Sequence, residues 1–241
     1  SGIVKGEQLY ACARQWDKLC RNTEVRGMHA CKHAIDMVRQ CDIILLAVKP
    51  AQMSEAISTV KEHLQGKAVV SIAAGMFFET YEQLLPPHTQ HLSVIPNMPV
   101  SVCEGVMLWE QRNSLQTEEA VAVEQLFSAI AFIEKLESDQ MTIGATVAGC
   151  GPAFAAMFIE ALGDGAVAYG LGREAAYRLC AQMMAGTAKQ LLVHPQHPGQ
   201  LKDRVSSPKG TTIQGVAELE RLGFRNALIS AIERIEQFRL K

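Results

Sequence analysis

The residues that could do chemistry in this chain gather in three short segments. The segment Val205–Ser206–Ser207–Pro208–Lys209–Gly210–Thr211–Thr212–Ile213 sets four hydroxyls around a Pro-x-Gly turn, just ahead of a helical pattern. Amide N–H groups at a helix start lack partners, and hydroxyls beside them complete a cradle for a carboxylate. The helix-end charge contributes about 0.3–1 kcal/mol to such a ligand, and about 2 kcal/mol in a partly buried geometry. An elaborate N-cap is the competing reading, but a cap needs fewer hydroxyls, which favours a binding loop.

The second segment, Ala148–Gly149–Cys150–Gly151–Pro152–Ala153, precedes a long apolar pattern. Proline suits a first helical turn, and the amides of such a start can hold an anion. Helix–helix packing explains the same glycines equally well. The third segment is a pair of strand exits, Ala47–Val48–Lys49–Pro50 and Ala73–Ala74–Gly75. Ligands of open α/β sheets bind at the carboxyl ends of strands, where small residues admit a flat ligand to the backbone. Lys49 would add a cation for a phosphate or ribose. A plain strand exit with a solvated lysine is the alternative, and these residues alone favour it.

No His–Asp pair or carboxylate dyad stands near these loops. The seven cysteines (Cys12, Cys20, Cys31, Cys41, Cys103, Cys150 and Cys180) form no CxxC pair, and the seven histidines form no HExxH motif. The expectation is no metal, no disulfide framework, and free thiols that are buried or half-buried.

The elements that must position these segments divide the chain in two. Up to about residue 137, Gln8–Ala13, Asp42–Val48, Ala68–Ile72, Leu92–Ile95 and Gly105–Trp109 read as strands. Ala51–Leu64 and Thr117–Ala129 read as helices among them. This alternation predicts an α/β fold, a parallel sheet with helices packed on it. Asp42–Val48 is almost wholly apolar, which predicts a central strand buried on both faces. After about residue 138, Pro152–Tyr169, Arg173–Val193, Thr212–Arg221 and Arg225–Lys241 read as helices. The first of these is apolar around much of its circumference. A domain of this size offers little cover, so a second subunit is expected to supply part of it.

Hydrophobic residues make up 48% of the 241 positions, which excludes wholesale disorder. The 23 basic and 25 acidic residues leave a formal net charge of −2, which excludes a strongly basic nucleic-acid binder. The expected partner is a small molecule or another copy of the chain. No apolar run approaches the roughly 18 residues of a membrane span, and the start does not read as a secretory signal. The expectation is a cytoplasmic protein without a membrane partner.

The stretches GCGPAFAAMFIEALGDGAVAYGLGREAA, AGTAKQLL and HPGQLKDRVSSPKGTTIQGVAELERLGFR, in that order and spacing, resemble the C-terminal domain of the pyrroline-5-carboxylate reductase family. LAVKP, SIAAG and IPNMP match the same family in order, so the resemblance covers essentially the whole chain. It implies a Rossmann-like dinucleotide-binding domain over residues 1–137 and a helical dimerisation and substrate-binding domain over 138–241. The implied reaction is NADPH- or NADH-dependent reduction of the cyclic imine 1-pyrroline-5-carboxylate to L-proline, the last step of proline biosynthesis. The implied assembly is a homodimer or a higher oligomer of dimers.

Carried over residue by residue, Thr212 matches the threonine that faces the imine nitrogen. Ser207, Gly210, Thr211 and Thr212 match the loop that holds the substrate carboxylate. Ala47, Lys49, Pro50, Ala73, Ala74 and Asn97 match cofactor contacts. Arg14 matches a basic position that meets an adenosine 2′-phosphate, which favours NADPH. A protonated imine is a good hydride acceptor, so catalysis would rest on holding the reacting carbons within roughly 3–3.5 Å.

The chain departs from the family pattern at its start, which lacks the family's first strand and glycine-rich turn, so the parallel-sheet domain reads as N-terminally incomplete. That turn brings backbone amides to the pyrophosphate. Ser93 stands where arginine is usual, Met98 replaces a common threonine, Ala34 sits near an expected asparagine, and Lys209 replaces a glycine. If Lys209 needs a positive φ, lysine costs about 1–2 kcal/mol there. Two alternatives follow. One is a non-catalytic dimeric homologue with a scaffold or regulatory role. The other is a different imine or β-hydroxyacid reductase, although no lysine lies between Lys135 and Lys189 to serve the β-hydroxyacid chemistry.

Overall fold

A computed structural model describes residues 2–239. The chain forms two compact units, one running through Gly149 and the other starting at Cys150.

In the first unit, β1 (Tyr10–Ala11) and β2 (His29–Ala30) pair in parallel as a two-stranded sheet, with α1 (Trp16–Glu24) between them in sequence. After α2 (Ala34–Gln40), a five-stranded sheet follows in the order β3 (Ile43–Leu46), β4 (Ala68–Ser71), β5 (Gln90–Pro96), β6 (Gly105–Glu110) and β7 (Ala131–Leu136). The helices α3 (Pro50–Val60), α4 (Phe78–Leu84) and α5 (Thr117–Ser128) connect its parallel strands. β5 and β6 are antiparallel. Only a short 3₁₀ turn, Met98–Val102, joins them, and a parallel crossover needs a dozen or more residues.

The core follows from strand alternation, which sends successive side chains to opposite faces. Val69 of β4 packs with Ile44, Leu46, Met53, Ile57 and Tyr81 on one face. Its neighbour Val70 packs with Leu92, Val94, Met107, Trp109 and Val123 on the other. β4 is buried along its whole length between β3 and β5, which makes it an interior strand. The sequence assigns that place to Asp42–Val48, and the structure corrects it. β3 lies at the edge of its sheet, pairs with β4 alone among the described residues, and leaves Leu45 48% exposed. An apolar run reports burial summed over both faces and does not say which strand has two neighbours. β2, β7, α1, α2 and α4 escaped the sequence reading; β7, for example, carries Glu134 and Lys135 in a mixed pattern.

The backbone is helical from Met141 to Ala168. The run consists of α6 (Met141–Ala145), a π-helical turn (Thr146–Cys150) and α7 (Gly151–Ala168). The Ala148–Ala153 segment therefore lies inside a helical run, and its amides are not those of a free helix start. The π turn absorbs Gly149, and Gly151 opens α7 without a break in the helical backbone. By length and composition this run is also apolar enough to cross a membrane, and almost none of it is buried. That corrects the expectation of no such stretch: alanine, glycine and threonine dilute the run without making it polar.

In the second unit, α7 packs against α8 (Arg173–Val193), followed by α9 (Pro198–Arg204), α10 (Thr211–Arg221) and α11 (Phe224–Arg239). Residues 240 and 241 of the last predicted helix lie outside the described residues. Gly163 lets α7 approach the Tyr177 ring of α8, where any Cβ would collide. Beyond Gly163, Ala176 and Cys180, these helices bury almost nothing.

Candidate active site

The loop between α9 and α10 is built by local rules. Ser206 donates its hydroxyl to the Lys202 carbonyl (2.8 Å) and closes the end of α9. The Gly210 amide then donates to the Ser207 carbonyl (3.0 Å), which folds Ser207–Gly210 into a tight turn. Pro208 takes the second turn position, where its fixed φ fits. Lys209 takes the third at φ 60°, a place that type II turns give to glycine or asparagine. Gly210 caps α10, and a Cβ there would collide with Ser207 Oγ.

The loop does not form an elaborate N-cap. No side chain caps α10, so its first-turn amides stay unpaired. Ser207, Thr211 and Thr212 are exposed, and among the described residues their hydroxyls make no hydrogen bond. One of the four hydroxyls closes α9 and the other three surround an uncapped helix start. Ser207, Gly210, Thr211 and Thr212 are therefore adjacent, with donors available for an anion. Lys209 is exposed beside them, without an ion-pair partner among the described residues.

In the first unit, β3 and β4 are neighbours, so their exits lie side by side. Ala47 and Lys49 are exposed after β3, with Lys49 at the N-cap of α3 and Pro50 at its first turn. After β4, Ala74 is exposed, whereas Ala73 is buried with its methyl in the core. Ala73 can thus offer a ligand only backbone. Gly75 adopts φ 77° with open space around it. Arg14, beyond β1, pairs with Glu55 of α3 at 2.9 Å, which ties it to the same helix.

Asn97, beyond β5, is half-buried and largely committed. Its Oδ1 accepts the Val106 amide (2.8 Å) and its Nδ2 donates to the Ala148 carbonyl (3.1 Å). One amide hydrogen of Asn97 remains free. Ser93 is 2% exposed inside β5, a place where an arginine would need its own buried partner.

The cysteines divide into buried Cys180, exposed Cys103 and five half-buried thiols. Burial pushes the thiols of Cys12, Cys31 and Cys41 up from their ordinary value, so none is a ready thiolate. Among the described residues no three His, Cys, Asp or Glu side chains converge as metal ligands.

The sequence reading missed Glu110. Its carboxylate is 0% exposed and accepts the Phe78 amide at both oxygens (3.1 and 3.0 Å) and the Ser138 hydroxyl (2.6 Å). It caps α4 from a distant strand. The only signal was an acidic residue ending the apolar run GVMLWE.

The chain is similar to known proteins along nearly its whole length. A family described as pyrroline-5-carboxylate reductase dimerisation matches residues 138–239, and one described as NADP oxidoreductase coenzyme F420-dependent matches residues 2–75. Pyrroline-5-carboxylate reductase of Treponema pallidum (strain Nichols) is 42% identical over 236 residues, covering 96% of this chain and 89% of that protein. The protein of the same name from Methanosarcina acetivorans is 39% identical over 239 residues, covering 98% and 88%. A crystal structure of Plasmodium falciparum pyrroline carboxylate reductase with NADP bound superposes with TM-score 0.84 at 28% identity, covering 97% of this chain and 86% of that one.

Proposed function

The chain belongs to the pyrroline-5-carboxylate reductase family, and from that premise we propose that it reduces 1-pyrroline-5-carboxylate to L-proline with NADPH or NADH. The observation that carries this reading is the uncapped start of α10 with three unspent hydroxyls around it. We assign cofactor binding to residues 1–137, and dimerisation and substrate binding to residues 138–241.

The residues present fit a nicotinamide dinucleotide. Ala47, Ala74 and Gly75 leave the backbone open at two neighbouring strand exits. Lys49 at the uncapped start of α3 and exposed Arg14 supply cations for its phosphates. Arg14 would favour NADPH by exchanging its Glu55 partner for a 2′-phosphate. When bound, the cofactor supplies the hydride.

The chain supplies position. The first amides of α10, with Ser207 and Thr211, hold the substrate carboxylate, and Gly210 keeps that cradle clear. Thr212 directs its hydroxyl to the imine nitrogen and orients the proton there. The imine arrives protonated and activated, so the loop needs donors more than a strong acid.

A homodimer explains the exposed apolar helices of the second unit. Met157 (67% exposed), Leu162 (45%) and Leu179 (60%) would otherwise face water on α7 and α8. The same cover accounts for a run apolar enough to suit a membrane. Seven free cysteines suit a reducing compartment, the cytoplasm.

The test follows NADPH absorbance with 1-pyrroline-5-carboxylate, with proline measured as product and the subunit number measured by sedimentation. Turnover to proline by a dimer or an oligomer of dimers is the expected result. A protein that binds NADPH but never turns over the imine leaves the scaffold reading in possession.

A further inference from the structure

Ser71 ends β4, and Tyr81 lies one turn into α4; each is 1% exposed. Their hydroxyls hydrogen-bond to one another, and Ser71 Oγ also accepts the Ala73 amide at 3.2 Å. A buried relay therefore runs from α4, through Ser71, to the backbone of the loop that follows β4. Its far end is fixed, because Glu110 holds the first amide of α4. Burial, with a smaller contribution from the nearby Glu110 charge, raises the Tyr81 phenol above its ordinary value of 10. Tyr81 thus remains a neutral phenol at working pH.

We propose that Tyr81 is a positioning residue for cofactor binding, acting through Ser71 to fix the Ala73 amide and the turn at Ala74 and Gly75. The proposal rests on the reading of that turn as part of the nicotinamide-dinucleotide site. Tyr81 itself touches no ligand, being buried in the core with Ala73. Because the Ala73 methyl also faces the core, the loop meets a ligand through backbone at that position. A backbone contact has no rotamer with which to readjust. A small rotation of the Ala73 amide therefore passes directly into affinity. The aromatic ring alone could pack the core; the hydroxyl is what reaches the loop.

The test titrates NADPH into the protein and three variants, Tyr81→Phe, Ser71→Ala and the double variant, following nucleotide fluorescence. Urea unfolding of each accompanies the titration. Each single variant is expected to weaken NADPH binding about three- to tenfold, the scale of one lost hydrogen bond. The double variant is expected to bind as Ser71→Ala does, because the relay passes through Ser71, and the KM for the imine is expected to stay unchanged. Single variants that lose stability but bind NADPH as the parent does overturn the positioning role, leaving the cofactor reading intact. A double variant whose loss is the product of the single losses overturns it too. A parent protein that binds no NADPH overturns the cofactor reading and this proposal together.

Discussion

Lys209→Gly should make the protein more stable while removing a positive charge from the loop before α10. Lys209 holds φ 60° in the turn closed by the Gly210 amide on the Ser207 carbonyl. The left-handed conformation costs a residue with a Cβ about 1–2 kcal/mol. Glycine returns about 0.5–1 kcal/mol of that gain through its freer unfolded chain. The net stabilisation is about 0.5–1 kcal/mol, and in a chain of this length Tm moves by about 2–4 °C per kcal/mol, giving a rise of about 1–4 °C.

Calorimetry or urea unfolding reads this, at matched protein concentration because association also shifts Tm. Lys209→Ala is the decisive control: it keeps the Cβ and its strain but loses the ammonium, so its stability should stay within about 0.5 kcal/mol of the parent. If the ammonium attracts the substrate carboxylate, both variants raise the KM for the imine alike. Stability then sorts the variants by Cβ, and KM sorts them by charge. A less stable Lys209→Gly, or a Lys209→Ala that gains as much, refutes the strain argument.

Three further outcomes follow from the same geometry. Thr212→Val, which removes a hydroxyl at nearly constant volume, should lower kcat/KM by about 10²-fold, with Thr212→Ser retaining most activity; an equal loss of NADPH affinity would place the damage elsewhere. Glu110→Ala strands the Phe78 amide and the Ser138 hydroxyl beside a fully buried gap, so urea unfolding should report a loss of about 2–4 kcal/mol, and an unchanged midpoint would contradict the capping role. Hydrogen bonds from Arg173 and Tyr177 hold the Asp164 carboxyl below its ordinary 3.8, so the α7–α8 tie is present above that pH and fades as pH falls through the lowered value; the stabilities of parent and Asp164→Asn should converge in acid, and a gap constant from neutral pH into acid would contradict this.

The sequence carried the alternation of strands and helices because periodicity and turn residues are local. The strand cores at Ile43–Leu46, Ala68–Ser71 and Gly105–Glu110 fall where apolar runs predicted them. Sheet order is not local, which is why β3 read as central although it lies at the edge of its sheet. The loop before α10 stood out as a candidate because hydroxyls, proline and glycine crowd one short segment. Its decisive property, that Ser206 is spent while Ser207, Thr211 and Thr212 are not, needed coordinates. Ser71, Tyr81 and Glu110 are far apart in sequence, and each is an ordinary residue in its own element. Nothing local marks a serine at a strand end as the holder of the next loop. The commitment of Asn97 to Val106 and Ala148 was equally invisible, since its partners lie 9 and 51 residues away.

The structure separates two kinds of polar residue, and that separation has consequences for how the protein responds to change. Glu110, Ser71 and Tyr81 are buried, and their hydrogen bonds run to one another, to backbone or to the Ser138 hydroxyl. Ser207, Thr211, Thr212, Lys49 and Arg14 are exposed on loops and helix starts. The buried set can only set geometry, because water and ligands do not reach it. The exposed set binds and orients, its members being hydroxyls and basic side chains on loops and helix starts. A substrate that carries its own activating proton suits this division. On the proposed assignments it asks the loop to hold a carboxylate and direct one N–H, and it asks the buried network to keep the backbone after β4 still. Substitutions in the first set should therefore register in stability and cofactor affinity, and those around α10 in the kinetics of the imine.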